Sequence, residues 1–453
     1  EIMELAELRN QFLDFLQQRC CGTRQEKMGL EYETFVALPS NEGKWKSLPI
    51  SGDVSIGTLL LKMAQLSSQG AQPWELHYEG ELLLGLLHSS GQNISIEPGG
   101  QVELSDSPRT DLSEVAQAVT VHIQQLTQAL SDWGGLPLFL GAHPYLTPDD
   151  LPLLDKKRYR IMYSTMKEVD THGQWMMKAT SGVQVSLDYQ SLEDLERKFV
   201  ILNRLTPFLT AIFANSPIVK GEPSGYRSYR GRIWQNTDPY RTGLPLSFLS
   251  KKFSLVDYIE WALDVRPYHL YRDGEVVQPG PYTFRQLMKK ETPLEMNQED
   301  WLTHLGMLFP EVRIKRIMEL RCMDTQQPQD VMAVPALLQA LTYNESVLTE
   351  LEGFLMDIPA ELFPELRKTA CKDGLNGEVG PVRFNKLAIK IMESALSHMD
   401  SVNQANWLEP FFDRYTKQGL SPADLVLERY QSADSFDRWL TQELFLHSQS
   451  TLN

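Results

Sequence analysis

The chain has 453 residues, and its 43 Lys and Arg against 59 Asp and Glu give a formal net charge of −16. So acidic a chain lacks the surplus cations with which a general nucleic-acid binder neutralises phosphates. Apolar residues make up 42% of the sequence, which is ample for a packed core and excludes wholesale disorder.

Cysteine content and hydropathy predict a compartment. The four cysteines of the sequence are too few for a disulfide framework, and they include no C-x-x-C pair typical of a zinc or redox site. The longest apolar run, at residues 82–87, is too short to cross a bilayer. We therefore expect a cytoplasmic protein with no membrane span and no nucleic-acid partner.

The first part of the chain mixes strands with helices. Apolar residues recur at helical spacing over residues 5–16, so a helix is predicted there. Residues 27–38, KMGLEYETFVAL, alternate between faces like a strand. Further predicted elements are helices over residues 59–66 and 112–130, a hairpin over residues 74–87, and strand over residues 94–105 with a break at the Pro-Gly-Gly of residues 98–100.

The second part begins with a predicted loop over residues 136–154, and the basic cluster at residues 156–158 opens a helix. Residues 183–189, VQVSLDY, alternate cleanly and predict a strand. Residues 192–213 predict a helix that kinks or splits at Pro207. The remaining predictions are ordered loop over residues 216–243, one strand over residues 311–321, and helices from there to residue 446.

These elements predict the fold class and the domain organisation. Strands do not alternate with helices as βαβ units do, so we expect an α+β fold, an antiparallel sheet with helices packed on it. No linker separates two domains cleanly. We assign residues 1–330 to a sheet-and-helix region that carries the candidate site, and residues 331–453 to a helical region packed on the same body.

Acidic side chains on strands are the most informative pattern, because strands ordinarily avoid Glu. Glu31 and Glu33 share one face of their strand at i, i+2 spacing. Glu103 lies on a later strand, and Glu97 comes directly before the Pro-Gly-Gly break. Gln184 lies on the polar face of VQVSLDY.

Charged residues of both signs share one face of residues 312–321, VRIKRIMELR, namely Arg313, Lys315, Glu319 and Arg321. Carboxylates beside cations suit bound metal and phosphate, because Mg²⁺ prefers oxygen ligands and commonly bridges carboxylates to substrate phosphates. The alternative is that each polar stripe is the solvated face of a half-exposed antiparallel sheet. The pattern alone leaves both interpretations open.

Common nucleotide and hydrolase signatures are missing from the sequence. It contains no G-x-x-x-x-G-K-[ST], no strand-linked G-x-G-x-x-G, no H-E-x-x-H and no G-x-S-x-G. The Arg-rich segment GYRSYRGRIW is the one basic cluster of its kind in an acidic chain. It therefore favours a site for an anionic small molecule over a nucleic-acid surface.

Long motifs in a fixed order resemble a known family. They are MGLEYETF, ISIEPGGQVELS, RYRIM, MMKATSGVQVSLDY, AIFANSP, GYRSYRGRIWQNTDPYRTG, ALDVRPYHLYRDG, FPEVRIKRIMELRCMD and AVPALLQALTY. Together they resemble the glutamate–cysteine ligases of the plant and proteobacterial type, in the carboxylate–amine ligase superfamily. The resemblance implies a glutamine-synthetase-like fold, in which helices flank a curved antiparallel sheet whose concave face is catalytic, with a mostly helical C-terminal third.

The resemblance also implies roles for individual residues. Arg230 of SYRGRIW matches the arginine that binds the glutamate carboxylate, and Trp234 is expected beside the substrate. The expected catalytic residues are Arg230, Glu319 and Arg321. The residues expected at the nucleotide phosphates are Arg313, Lys315 and Arg321. The expected metal ligands are Glu31, Glu33, Glu97, Glu103, Gln184 and Glu319.

The activity implied by the resemblance is ATP-dependent ligation of L-glutamate to L-cysteine through γ-glutamyl phosphate, the first step of glutathione biosynthesis. Mg²⁺ is the expected cofactor, with Mn²⁺ as a substitute, and ATP the co-substrate. Alternatives are another acceptor amine, or supply of γ-glutamylcysteine to ergothioneine synthesis. A degenerate, non-enzymatic scaffold would have lost the strand carboxylates, which are all present. We expect a monomer or a weak homodimer.

The sequence departs from the family pattern at several positions. Ser186 stands where Asn is common, and Tyr32 lies between the two glutamates of the E-x-E strand, where we expect it to face away from the site. The four cysteines do not fall at the positions of the regulatory pairs of plant members. A thiol switch is therefore not expected here.

Overall fold

The computed structural model of the chain describes residues 4–67, 73–289, 294–399 and 402–450. Residues 1–3 and 451–453, at the ends of the two predicted regions, and residues 400–401 of the predicted helical stretch lie outside the described residues. The helices, in chain order, are α1 Leu5–Gln17, α2 Ile56–Ser67, α3 Leu112–Ser131, α4 Lys157–Val169, α5 Gly173–Ala179, α6 Leu192–Ile212, α7 Tyr229–Gln235, α8 Leu255–Leu263, α9 Phe284–Met288, α10 Gln298–Leu305, α11 Ala333–Tyr343, α12 Glu345–Leu355, α13 Phe363–Asp373, α14 Phe384–Ser397, α15 Val402–Arg414, α16 Pro422–Ser432 and α17 Phe436–Ser450.

Antiparallel strands make up the sheet that the sequence predicts. The strands, in chain order, are β1 Met28–Pro39, β2 Trp45–Lys46, β3 Glu75–Glu79, β4 Leu82–Leu87, β5 Asn93–Ile96, β6 Val102–Ser105, β7 Leu136–Leu138, β8 Gly182–Leu187, β9 Ile218–Val219, β10 Glu222–Pro223, β11 Thr242–Gly243, β12 Leu270–Arg272, β13 Glu275–Val277, β14 Phe309–Pro310, β15 Val312–Ile314, β16 Met318–Asp324, β17 Glu378–Val379 and β18 Val382–Arg383. Among the described residues, ten of these strands form one sheet in the order β15-β16-β8-β1-β6-β5-β4-β3, with β2 and β7 paired to β1. The predicted α+β fold is confirmed.

The central strand β1 separates an apolar face of the sheet from a polar one. Met28, Leu30 and Tyr32 are buried on one face, whereas Glu31 and Glu33 alternate onto the other. The apolar face packs against α6 and α11. Tyr32 donates a hydrogen bond to the carbonyl of Gln326 on that side, so it faces away from the glutamates as expected. The polar face is thereby left for a site.

The segment predicted as ordered loop contains a short helix, α7. Ser228 is its N-cap, and its side chain accepts a hydrogen bond from the Gly231 N–H at 3.1 Å. A serine three residues before a glycine is a weak start signal, and the helix has only two turns, so periodicity could not reveal it. The correction matters because α7 carries Arg230 and Trp234.

Residues 311–321 form a hairpin where one strand was predicted. Strand β15 turns at residues 315–317 and returns as β16, with Arg313 paired to Glu319. No Gly, Pro or Asn marks the turn, so no local pattern predicts it. The charged residues still share one face, as predicted, because directly opposed residues of a hairpin point to the same face of the sheet.

Helix α6 continues unbroken through Pro207, so the predicted split does not occur. A proline inside a helix leaves the carbonyl four residues earlier without its N–H donor. Here that carbonyl belongs to Asn203, and the hydroxyl of Thr206 donates to it at 2.8 Å. The side chain next to the proline therefore supplies the hydrogen bond that the proline cannot.

The C-terminal helices α13 and α14 pack against α6, and one apolar cluster extends from Leu8 to Tyr415. The division of the chain at residue 330 stays a prediction.

Cys20, Cys21, Cys322 and Cys371 are free thiols. Within the described ranges no helix combines the length and the hydrophobicity that crossing a membrane requires.

Candidate active site

The acidic face of β1 lies between two strands that add polar side chains to it. Glu33 is in register with Glu103 of β6, and Glu31 is in register with Gln184 of β8. Directly opposed residues in an antiparallel pair have Cβ atoms roughly 4.5–5.5 Å apart. The register therefore brings most of the predicted metal ligands together, and Glu97 of the β5–β6 turn lines the same cleft.

Hydrogen bonds from the sheet itself orient two of these carboxylates. The backbone N–H of Gly182 donates to Glu33 Oε2 at 2.7 Å. The hydroxyl groups of Ser95 and Ser105 both donate to Glu103 Oε1 at 3.3 Å. One oxygen of each carboxylate is thus held by the sheet.

The carboxylates of the cleft resist ionisation as a group. Burial raises the pKa of Glu97 to about 8, and the charges of Glu33 and Glu31 add to the shift. Burial, followed by the charge of Glu97, raises the pKa of Glu103 well above its usual value. The pKa values of Glu31 and Glu33 are also raised, again mainly by burial. A divalent cation would relieve this repulsion and favour the ionised forms.

The donor set fits Mg²⁺ or Mn²⁺, because both are hard cations that prefer carboxylate oxygens. In the described ranges no three His, Cys, Asp or Glu side chains are already arranged as ligands of one ion. A shared ion would require these side chains to turn toward it. The fit rests on the chemistry of the clustered oxygens and on their raised pKa values.

Cations stand beside the carboxylates at the β15–β16–β8 end of the sheet. Arg313 forms an ion pair with Glu319, and Arg321 Nη1 donates to Gln184 Oε1 at 2.9 Å. The guanidinium carbon of Arg321 lies 5.9 Å from the ring centre of Trp234. Burial, with the nearby charge of Arg313, lowers the pKa of Arg321 to about 10, so it stays protonated at neutral pH.

Two predicted metal ligands are engaged with these cations. The side chain of Glu319 does not line the cleft with the other predicted residues, and its pKa is lowered against the effect of burial by Arg313. The amide oxygen of Gln184 is occupied by Arg321. Both residues therefore hold arginines in place, and either has to release or share its partner in order to bind metal.

Arg230 enters the cleft from α7 on the other side. It is 2% exposed, and its Nη2 donates to the backbone carbonyl of Arg321 at 3.1 Å. A Cβ at Gly182 would lie 2.6 Å from this Nη2, so a side chain at that position of β8 would push the guanidinium away from where it lies. The Nε of Arg230 is buried and has no hydrogen-bond partner in the described part of the chain.

These residues line one cleft of about 500 Å³, within the roughly 300–1,000 Å³ that small-molecule sites occupy. Helices α4, α5 and α7 and the segment around β14 cover the polar face of the sheet. The predicted residues that line the cleft are Glu31, Glu33, Glu97, Glu103, Gln184, Arg230, Trp234, Arg313, Lys315 and Arg321.

Several lining residues were not assigned from the sequence. Arg158 and Tyr159 of α4 reach the cleft, as do His269 and Tyr271 near β12. The motifs RYRIM and RPYHLYRDG contain these four residues, so their presence in the resemblance was the available signal. Residues on covering helices have no periodicity that marks them as ligands, since the cleft forms only when distant segments pack together.

Comparison with known proteins identifies relatives over nearly the whole chain. Residues 27–442 match the family Glutamate-cysteine ligase family 2 (GCS2). The chloroplastic glutamate–cysteine ligase of Brassica juncea is 33% identical over 418 residues, covering 90% of this chain and 77% of that protein. The enzyme of the same name from Arabidopsis thaliana is 32% identical over 425 residues, covering 90% and 76%.

Solved structures show the same fold at low sequence identity. A glutamate–cysteine ligase from Francisella tularensis in complex with AMP has a TM-score of 0.56 at 12% identity, covering 95% of this chain and 89% of that one. A bifunctional glutathione synthetase from Pasteurella multocida has a TM-score of 0.51 at 12% identity, covering 99% of this chain and 54% of that one. The family match and relatives about one-third identical over 90% of the sequence establish that the chain belongs to glutamate–cysteine ligase family 2.

Proposed function

We propose that the chain catalyses the ATP-dependent ligation of L-glutamate, through its γ-carboxylate, to L-cysteine. Membership of the family and the names of its relatives support this activity. The observation that carries the proposal is the cleft itself, where clustered glutamates of β1 and β6 face arginines of α7, β15 and β16. Such a site suits phosphoryl transfer, in which positioning and charge neutralisation supply most of the catalysis.

A carboxylate is a poor electrophile, so the reaction has to activate it first. An oxygen of the glutamate γ-carboxylate attacks the γ-phosphorus of ATP, the bond to the ADP oxygen breaks, and γ-glutamyl phosphate forms. The amine of cysteine then attacks the acyl carbon, phosphate leaves, and the amine loses a proton. Both steps move negative charge through the cleft, where fixed cations stabilise it.

Magnesium is proposed to bind on the carboxylate side of the cleft, with Mn²⁺ able to replace it. Glu31, Glu33, Glu97 and Glu103 would hold it, since their carboxylates cluster and resist carrying charge without a cation. When bound, the metal would neutralise the charge of the nucleotide phosphates. Glu319 and Gln184 are proposed to reach the metal only if their arginine partners shift.

Arg230 is proposed to hold the α-carboxylate of glutamate. Its guanidinium enters the cleft buried and pre-oriented by Gly182 and by the carbonyl of Arg321. A planar guanidinium binds a carboxylate through two parallel hydrogen bonds, which fixes the orientation of the substrate as well as its position. This orientation presents the γ-carboxylate, and not the α-carboxylate, for phosphorylation. Trp234, on the same helix, is proposed to pack beside the substrate.

The cations at the sheet edge are proposed to receive the nucleotide phosphates. Arg313, Lys315 and Arg321 all line the cleft. Burial, with the charge of Arg313, lowers the pKa of Lys315, so its ammonium gains from an anionic partner. Arg321 and Glu319 are proposed to act in catalysis beside Arg230, Arg321 directly and Glu319 by holding Arg313.

The identity of the acceptor amine and the place of the product in glutathione biosynthesis are parts of the same proposal. Another amine, or a product destined for ergothioneine, remains the alternative, because side chains that differ by one methylene are separated by only about 10- to 200-fold. Phosphate release from ATP and L-glutamate, measured across a panel of amino acids, tests this. Cysteine should give the highest kcat/KM, and equal rates with several unrelated amines would reject it as the preferred acceptor. A cytoplasmic location and a monomer or weak homodimer stay predictions.

A further inference from the structure

Asp324 ends β16 and lies between the sheet and the start of α7. It is 1% exposed. Its Oδ2 accepts hydrogen bonds from the Asn215 N–H at 2.8 Å and from the Ser216 hydroxyl at 2.6 Å, and its Oδ1 accepts one from the Ser228 hydroxyl at 2.8 Å. All these donors belong to the segments that lead from α6 into α7. One buried carboxylate thus joins the catalytic sheet to the helix that carries Arg230.

The two hydroxyl groups pass this constraint on to α7. Ser216 Oγ accepts from the Arg230 N–H at 3.1 Å, and Ser228 Oγ accepts from the Gly231 N–H at 3.1 Å. A serine hydroxyl has one proton, and when it is donated to Asp324 the oxygen lone pairs are left for the helix N–H groups. The carboxylate therefore sets the direction of both hydroxyl groups at the first turn of the helix.

Close packing against Gly141 fixes the position of the Asp324 side chain. A Cβ at Gly141 would lie 2.5 Å from Asp324 Cγ, so a side chain there would displace the carboxylate. Burial raises the pKa of Asp324, and the charge of Arg230 opposes that shift, which means that the two side chains attract each other. Asp324 itself does not line the cleft, so it does not meet the substrates directly.

We infer that Asp324 is a positioning residue, which holds Arg230 at the glutamate end of the cleft through Ser216 and Ser228. The inference rests on the proposed function, in which Arg230 binds the α-carboxylate of glutamate. Loss of the Asp324 carboxylate lets the first turn of α7 shift. The guanidinium N–H groups of Arg230 are then misaligned with the α-carboxylate of glutamate. Nucleotide binding depends on Arg313, Lys315 and the sheet, and is left intact.

The variant Asp324→Asn tests this inference, because it keeps the volume but replaces one acceptor oxygen by an amide that donates. We expect the KM for glutamate to rise roughly 10-fold or more, the range for losing hydrogen bonds to a charged group. The KM for ATP should change less than about twofold, since the anchor of glutamate alone is disturbed. Asp330→Asn is the matched control, since Asp330 is also buried and pairs with Arg414 and Tyr415 away from the cleft. That control should lower the thermal midpoint without a selective effect on glutamate.

Two further variants decide the matter if Asp324→Asn fails to fold. Ser216→Ala and Ser228→Ala each remove one hydroxyl and leave the carboxylate in place, and a selective rise in the glutamate KM in either supports the inference. Equal changes in the KM of glutamate and ATP, or no change in either, overturn it. If the wild type forms no γ-glutamyl product, the proposed function itself fails. If the wild type is active and the variants bind glutamate normally, only the role of Asp324 is lost.

Discussion

Glu33 and Glu103 lie directly opposite each other in the antiparallel pair of β1 and β6, at the centre of the polar face of the sheet. Burial raises the pKa of both groups, and two facing carboxylates resist being ionised at the same time. A cation bound between them would favour the ionised forms of both carboxylates. Folding without a cation favours the neutral forms of these two residues, whereas binding a cation would favour their ionised forms.

Replacing Glu103 by Gln should stabilise the ligand-free protein while it lowers turnover. The amide removes one of two facing carboxyl groups at nearly constant volume, so we expect the free energy of unfolding to rise by about 1 kcal/mol. Denaturant unfolding without metal or nucleotide measures this. Glu81→Gln, at an exposed position of the β3–β4 turn, is the control and should change neither quantity. A destabilised, fully active Glu103→Gln protein would contradict the metal-site assignment.

Magnesium should stabilise the wild type and not the variants Glu31→Gln and Glu33→Gln. A ligand that binds only the folded state adds about 2.7 kcal/mol at 100 times its dissociation constant. Thermal unfolding with and without Mg²⁺ measures this directly, without any assay of activity. We expect turnover to fall by about two orders of magnitude or more in both variants and in Glu319→Gln. The assignment is wrong if all three stay near wild-type activity at ordinary Mg²⁺.

Replacing Arg230 by Lys should raise the KM for glutamate sharply, although the charge is kept. A lysine cannot form the two parallel hydrogen bonds of a guanidinium, and losing one of them is expected to weaken binding by about 1.5–3 kcal/mol, or roughly 10- to 150-fold. Steady-state kinetics with each substrate varied in turn show whether the effect is specific to glutamate. Arg232→Lys, two residues further along α7, is the matched control. Unchanged glutamate kinetics would move the carboxylate anchor to another arginine.

Stability should fall in acid because of His122, which lies in α3 away from the cleft. It is 2% exposed, and in the described part of the chain neither ring nitrogen has a hydrogen-bond partner. Burial lowers its pKa to about 4, whereas an unfolded histidine titrates near 6.5, so the unfolded chain binds the proton first as pH falls. Above pH ~6.5 the titration of His122 therefore does not lower the free energy of unfolding. As the pH falls from there toward 4, it lowers that free energy progressively.

His122→Leu should remove this part of the acid sensitivity. The mutation changes the free energy of unfolding, and we expect that change to be about 2 kcal/mol more favourable at pH 5 than at pH 8. The reason is that 1.4 kcal/mol corresponds to roughly one pH unit. Denaturant unfolding at the two pH values gives the difference. An equal effect of His122→Leu at both pH values would show that this histidine does not titrate with unfolding.

Alternating patterns predicted the sheet because each strand has one face against a helix layer. Val183, Val185 and Leu187 are fully buried on one face of β8, and Gln184 and Ser186 alternate onto the other, as the period of two requires. The hairpin of β15 and β16 escaped detection because its turn has no characteristic residue. The charged face was still correct, since pairing of Arg313 with Glu319 preserves it.

Strand patterns and sequence motifs predicted part of the candidate site. The carboxylates on β1 and β6 were expected from their placement on strands, and Arg230 from a motif alone. Its burial, its helix and its dependence on Asp324 come from packing between segments about a hundred residues apart, which no local pattern records. Engagement of Glu319 and Gln184 by arginines was likewise invisible, because it depends on which side chains become neighbours across the sheet.

In the proposed reaction, the γ-carboxylate of glutamate is phosphorylated in the cleft before the amine attacks. Glutamate labelled with ¹⁸O in its γ-carboxyl group tests this directly when the released phosphate is analysed by mass spectrometry. We predict that one ¹⁸O atom appears in phosphate for every γ-glutamyl product formed with cysteine, because the oxygen that attacks ATP leaves with the phosphoryl group. Unlabelled phosphate alongside full product formation would exclude γ-glutamyl phosphate as the intermediate, since the carboxylate would then have been activated in another way.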